Sequence, residues 1–147
     1  MKIKIIKLNN KCTLPLPSYA TEYSAGVDLY AAIKQPITLS PGQRACINTG
    51  IAIEVPSGYE AQIRPRSGLS LKFGITILNT PGTIDADYRG EIMVILINLS
   101  DTEYTINHMD RIAQMVISPV MHVTWEQVDN FDSNTNRGSN GFGSTGI

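Results

Sequence analysis

Between residues 82 and 92 the chain reads Gly82-Thr83-Ile84-Asp85-Ala86-Asp87-Tyr88-Arg89-Gly90-Glu91-Ile92, a glycine-bounded turn that holds carboxylates, an aromatic ring and a guanidinium between apolar runs. A carboxylate ionised at neutral pH can orient a water and accept its proton, an effect that contributes about 10² to 10⁴ in rate. Asp85 is the candidate base: Ile84 is suited to the core, while Asp85 and Tyr88 project into a cavity at the mouth of a hairpin, and Asp87 is less well placed. Upstream, Arg66-Ser67-Gly68 brings a guanidinium, a hydroxyl and an unhindered amide to the start of a candidate helix. Unpaired amides and the helix dipole both favour phosphate there. The tail Arg137-Gly138-Ser139-Asn140-Gly141-Phe142-Gly143-Ser144-Thr145-Gly146 adds a cation and a ring among residues small enough to wrap a ligand closely. The three segments together suit a nucleotide whose base, sugar and phosphates are held separately.

The elements that must position these residues read as strands. Apolar residues alternate at Ile3 and Ile5, through Ala45, Ile47, Thr49, Ile51, Ile53 and Val55, and again at Tyr59, Ala61 and Ile63. The runs Ile92 to Leu99, Ile112 to Ile117 and Val120 to Val128 are denser, as expected of strands covered on both faces. Turn residues recur at Pro15, Pro17, Pro41-Gly42, Pro56-Ser57-Gly58, Pro81-Gly82 and 98–102, a spacing that predicts an all-β sandwich or barrel. One short helix is expected from Gly68 to Lys72 or Phe73, capped by Ser67 and ended by Gly74. After Phe131 periodicity gives way to Asn, Ser, Thr and Gly, which divides the chain into a β domain over 1–131 and a mobile arm over 132–147.

Composition narrows the function classes. At 147 residues the chain is about one domain long, a size that buries roughly 70% of the surface its unfolded form exposes. Cys12 and Cys46 imply no disulfide framework, and with no leader pattern the expected setting is a reducing cytoplasm. The longest unbroken apolar run, Ile92 to Ile97, falls far short of the roughly 18 residues of a membrane span, so no membrane partner is expected. A formal charge of −1 argues against polymeric nucleic acid. An anionic ligand must therefore be met locally, and Arg66, Arg111 and Arg137 are the cations in glycine-bearing or strand-edge settings.

Five motifs in order now carry a resemblance. Ser24-Ala25-Gly26-Val27-Asp28-Leu29-Tyr30-Ala31-Ala32, Pro65 to Leu69, Asn79 to Glu91, Asp110-Arg111-Ile112-Ala113-Gln114-Met115 and Arg137 to Gly146 cover the chain from about residue 24 to its end. The sequence resembles the homotrimeric dUTP diphosphatases, the dUTPase family. That resemblance implies a jelly-roll-like β-sandwich or barrel with one short helix and a flexible glycine-rich C-terminal arm. It implies hydrolysis of dUTP to dUMP and pyrophosphate, which removes dUTP from the DNA precursor pool and supplies dUMP for dTMP synthesis.

Roles follow residue by residue from the resemblance. Asp85 matches the carboxylate that activates water for attack on the α-phosphorus, and Tyr88 the ring packed on deoxyribose, which refuses a 2′-hydroxyl. Asn79, with backbone groups around Gly82 and Ile84, matches the hairpin that reads the uracil edge, where an amide supplies both donor and acceptor. Thymine must be refused by a backbone wall close to C5, because one methyl in an apolar pocket is worth only about 1 to 3 kcal/mol, and Gly82 permits the approach. Phosphates fall to Arg66, Ser67, Gly68 and Gln114, and to Arg137, Gly143, Ser144 and Thr145 of the arm, whose Phe142 stacks on uracil. Asp28 matches a carboxylate that reaches Mg²⁺ through water, the ion being chelated by the triphosphate. Active sites shared among the three subunits are also implied.

Departures from the family pattern are Met109 and Asn140, both where glycine is frequent, and Ser70 where alanine is. His108 and His122 stand apart and are expected to be structural. Two rivals are a dCTP deaminase-related enzyme, which lacks the glycine-phenylalanine arm, and a non-catalytic nucleotide-sensing module, against which an intact Asp85 and arm argue. A zinc deaminase and a P-loop enzyme are disfavoured because His-x-Glu with Pro-Cys-x-x-Cys, and Gly-x-x-x-x-Gly-Lys-Ser/Thr, are absent.

Overall fold

The computed structural model of the chain describes residues 1–8, 14–131 and 135–141. The chain runs through β1 (Lys4–Lys7), β2 (Val27–Tyr30), β3 (Ile37–Leu39), β4 (Arg44–Asn48), β5 (Ile51–Glu54) and β6 (Tyr59–Arg64). After α1 (Ser67–Phe73) come β7 (Ile75–Ile77), β8 (Gly82–Ile84), β9 (Met93–Asn98), β10 (Tyr104–Ile106) and β11 (Arg111–Pro119). Among the described residues all strand pairs are antiparallel and fall into four sheets: β2-β11-β6-β8, β4-β9-β7, and the ribbons β1-β5 and β10-β3. The expected all-β fold with one short helix is what forms, as an open set of sheets and not a closed barrel.

Alternation decides what each sheet gives to the core. On the four-stranded sheet Val27, Leu29, Ala61, Ile63, Ala113 and Met115 point inward, and Ile47, Ile75, Ile77, Val94 and Leu96 do so from the three-stranded sheet, forming one continuous cluster. Asp28, Gln114 and Arg64 are then left on the outer face, side by side, because Gln114 lies opposite both Asp28 and Arg64 in register. The buried Asn98 is fully satisfied. Its Nδ2 donates to the carbonyls of Leu39 and Thr102 at 2.9 and 2.7 Å, and its Oδ1 accepts from Ser100 N and Oγ at 2.9 and 2.8 Å. This ties the end of β9 to β3.

Three expectations are corrected. The alternating stretch from Ala45 to Val55 is two strands, broken where Thr49 and Gly50 turn the chain. Val120 to Val128 forms no strand, and its Met121, Val123 and Trp125 are exposed, because no strand among the described residues pairs with it. Ser67 lies inside α1 and does not cap it. Arg66 holds the N-cap position in an extended conformation without a capping bond, a guanidinium having no acceptor for the helix amides, whereas Gly74 closes the helix in the left-handed region at φ 64° as expected.

Met109, which departs from the glycine that the family resemblance leads one to expect, adopts φ 70° and is the one non-glycine residue with positive φ among the described residues. Its amide donates to Ala31 O at 3.0 Å, which holds the strained conformation in place. The left-handed region costs a side-chain-bearing residue roughly 1–2 kcal/mol, partly offset by the extra freedom glycine has when unfolded. Met109→Gly is therefore expected to raise stability by up to about 1 kcal/mol, read as a higher urea midpoint with an unchanged slope.

Candidate active site

Two clefts gather the chemistry-bearing residues. The larger, about 400 Å³, opens at the end of the four-stranded sheet between Ser24–Gly26, Asp28, Arg66–Gly68, Arg111 and Gln114, with Ser18 and Ala20 on its rim. Asp28 organises it. Its Oδ1 accepts from Arg66 Nε at 2.9 Å and its Oδ2 lies 3.4 Å from Arg111 Nη1, while Arg66 Nη1 donates to Arg111 O at 3.1 Å. One carboxylate thus holds two guanidiniums, leaving a local excess of positive charge at the start of α1 in a chain whose overall charge is −1. Gln114 Nε2 donates to Pro65 O at 2.9 Å, which fixes the amide beside the segment carrying Arg66. Among the described residues no three His, Cys, Asp or Glu side chains converge as a metal cage would require.

Arg111 reaches this cleft through a bulge. Arg111 pairs with Tyr30 and Ala113 with Leu29, so one extra residue sits in β11 and both Ile112 and Ala113 are buried. The shift puts Arg111 and Gln114 on one face despite their odd spacing. Behind the cleft Phe73 of α1 packs on Tyr104, with ring centroids 5.1 Å apart. Burial, and then Asp110, push the Tyr104 phenol above its ordinary range, with Arg66 opposing.

The second cleft, about 260 Å³, is lined by Ile84, Asp85, Tyr88 and Glu91 of the hairpin and by Cys46, Met93 and Ile95 of the three-stranded sheet. A smaller cleft of about 90 Å³ adjoins it between Asn79, Gly82, Ile84 and the β9 residues Met93 to Ile95. At Gly82 a Cβ would meet only ordinary contacts, 3.4 Å from Ile63 Cβ and 3.5 Å from Asn79 Nδ2, so packing within the chain does not require a glycine. Its bare backbone instead leaves room in the small cleft.

The turn itself is braced by its own residues. Tyr88 N donates to Asp85 O at 3.2 Å, and Arg89 Nη1 donates to Ala86 O and Tyr88 O at 2.6 and 2.9 Å. The Tyr88 phenol donates to Glu91 O at 2.9 Å, so the ring lies folded over Gly90, where any Cβ would fall inside the phenol.

The structure therefore gathers Asp28, Arg66, Ser67, Gly68 and Gln114 in one cleft, and Asn79, Gly82, Ile84, Asp85 and Tyr88 in the adjoining pair, with no lining residue shared between the two groups. Arg137 is exposed, its Nε donating to Asn140 O at 2.9 Å, and it joins neither. Phe142, Gly143, Ser144 and Thr145 lie outside the described residues. Arg111, one of the three cations the sequence singled out for an anionic ligand, lines the cleft although strict alternation would send it away from Gln114; sequence reasoning missed Glu91 and Cys46 as lining residues. The motif containing Glu91 was the available signal.

A family model described as dUTPase matches residues 13–146. The deoxyuridine 5'-triphosphate nucleotidohydrolase of Ehrlichia canis (strain Jake) is 69% identical over 146 residues, covering 99% of this chain and 95% of its own. Among solved structures, a substituted dUTPase of Staphylococcus bacteriophage 80alpha with dUpNHpp is similar at a TM-score of 0.88 and 28% identity, covering 99% of both chains. A substituted dUTPase from phage phi11 of S. aureus, whose structure details the coordination of a structural Mg(II) ion, matches at a TM-score of 0.80 and 26% identity, over 90% of this chain and all of its own.

The seat of the Tyr88 ring gives a direct check. Tyr88→Phe loses the bond to Glu91 O and is expected to cost about 0.5 to 1 kcal/mol in urea unfolding. Gly90→Ala must also expel the ring. It should cost more than Tyr88→Phe and move the aromatic resonances of Tyr88 toward those of a solvated tyrosine.

Proposed function

The chain belongs to the dUTPase family, and from that premise we propose that it hydrolyses dUTP to dUMP and pyrophosphate by water attack at the α-phosphorus, clearing dUTP from the DNA precursor pool and supplying dUMP for dTMP synthesis. The observation that carries the reading is a single hairpin holding a carboxylate, an anchored ring and a small cleft edged by an amide within one continuous surface. Asp85 activates the water. Tyr88 offers its ring to the deoxyribose, and a ring fixed at its phenol cannot withdraw to admit a 2′-hydroxyl. Asn79 and the backbone about Gly82 and Ile84 read the uracil edge. Cytosine presents the reverse donor and acceptor order and leaves those groups unpaired.

The phosphates belong to the other cleft, where Arg66 is held in place by Asp28 and where Ser67, Gly68 and Gln114 supply further donors. Phosphoryl transfer needs positioning and charge neutralisation above all, and these residues provide both. The chain's own residues suit Mg²⁺ in one way. Two guanidiniums use only part of the acceptor capacity of the Asp28 carboxylate, which leaves lone pairs for a metal-bound water. When carried in by the triphosphate, the ion neutralises phosphate charge.

A homotrimer with shared active sites completes the reading. Its support is that the phosphate cleft and the Asp85 cleft have no lining residue in common, so one chain presents two half-sites and a second copy can join them. Residues 132–147 form the arm that closes over the nucleotide, with Arg137, Ser144 and Thr145 on phosphate and Phe142 on uracil, where base stacking is worth roughly 1 to 3 kcal/mol. The setting is a reducing cytoplasm, in keeping with the free thiol of Cys46. Among the described residues no helix is long and apolar enough to cross a membrane.

Pyrophosphate release with Mg²⁺ present, measured on dUTP beside dTTP, dCTP and UTP, tests the reading; turnover of dUTP alone is expected, and ammonia from dCTP would point to a deaminase. Asp85→Asn should lose about 10² to 10⁴ in turnover while still binding nucleotide. Removal of the chain from Arg137 onward should cripple turnover and leave the unfolding transition of the β domain in place. Wild-type rates in either variant would contradict the assigned roles.

A further inference from the structure

Glu91 is the last residue of the nucleotide turn, and none of the roles assigned above uses its side chain. Its Oε1 accepts from the buried Gly50 amide at 2.8 Å and its Oε2 from Asn48 Nδ2, also at 2.8 Å. Its own carbonyl is the acceptor for the Tyr88 phenol. The neighbouring Ile92 is fixed separately, with Ile92 N donating to Ile51 O at 2.9 Å and Ile92 O accepting from the buried Thr49 Oγ1 at 2.6 Å. The carboxylate therefore sets where the last residue of the turn sits over the β4–β5 bend, and the carbonyl on that same residue sets where the Tyr88 ring lies.

We infer that Glu91 is a positioning residue for sugar discrimination: by clamping Asn48 and Gly50 it holds the Tyr88 ring at the height where a 2′-hydroxyl is refused. The inference rests on the dUTP reading, since it concerns the ring assigned to the deoxyribose. The chemistry makes the clamp replaceable in kind. Glutamine at 91 keeps an acceptor for Gly50 N, and its Nε2 can donate to Asn48 once that amide turns to present its oxygen. Aspartate at 48 opposite Glu91 sets two carboxylates against each other and opens the clamp. Combined with glutamine at 91 it is a donor-acceptor pair again.

The experiment is the ratio of kcat/KM for dUTP over UTP, with hydrogen exchange at the Gly50 amide as a second readout. Wild-type activity on dUTP, assayed first, tests the functional reading alone. E91A and N48D are each expected to lower the ratio about tenfold, the scale on which one small group is discriminated in a pocket. Both should also speed Gly50 exchange. E91Q and the N48D/E91Q pair should return both readouts to near wild type. A ratio unchanged in E91A, including one in which both nucleotides lose activity equally, overturns the inference. So does a pair that fails to recover what N48D lost.

Discussion

One surplus residue in β11 sets the geometry of the cleft proposed for the phosphates. A regular strand would turn Arg111 to the face opposite Gln114, because side chains alternate with a period of two. With the bulge between Arg111 and Ala113, the two lie together on the open face of the sheet, and Asp28 of β2 meets both. Arg66 then arrives from the far side, at the start of α1, and finds its acceptors in Asp28 and in the carbonyl of Arg111 itself. Three segments distant in sequence are thereby locked by one carboxylate. Arg66, unlike Ser or Asp, has no acceptor to offer the helix amides, so α1 begins without a side-chain capping bond.

The energetic sense of the arrangement lies in its partial exposure. The side chains of Arg66 and Asp28 retain 27% and 22% of their accessible surface, so this pair is neither a buried ion pair with a large desolvation cost nor a fully hydrated one of little worth. An arginine held this way has already lost much of its rotamer freedom, and a phosphate that displaces its remaining water gains a donor that needs no further ordering. The second guanidinium on the same carboxylate leaves a surplus of positive charge that a single pair would have cancelled. Positive charge is thus concentrated locally in a chain of near-zero net charge.

Much of this was legible in the sequence and some of it could not have been. Strong alternation through Ala45 to Val55 and Tyr59 to Ile63 reported the strands and their inward faces, because burial on one side imprints a period of two. Residues 120–128 carry apolar side chains at strand-like density, yet density records only that a segment is to be covered, and among the described residues nothing covers Met121 or Trp125. The bulge left no periodic trace except two adjacent buried residues, Ile112 and Ala113, which read equally as a strand covered on both faces. The Asn98 knot was illegible for another reason: its partners Leu39 and Thr102 come from opposite sides in the sequence, and only the finished fold brings both carbonyls to one amide.

The hairpin shows how a short turn is made stiff without a core of its own. Asp85 and Tyr88 are exposed, so no apolar packing restrains them as it restrains Ile92 below. Restraint comes from hydrogen bonds within the turn, Arg89 on the carbonyls of Ala86 and Tyr88, the phenol on Glu91 O and the Tyr88 amide on Asp85 O, and from the Glu91 carboxylate, which accepts from Asn48 and Gly50 outside it. Such bonds are worth little singly in water, about 0.5 to 1.5 kcal/mol each, but they share members, and a shift of one strains the rest. A base that must meet a water at a defined point benefits from this, since an error of an ångström in the reacting geometry is paid in rate. Exposure of Asp85 to water and rigidity of its backbone are then compatible, and the solvent that must be excluded during reaction is left to whatever covers the cleft once substrate has entered.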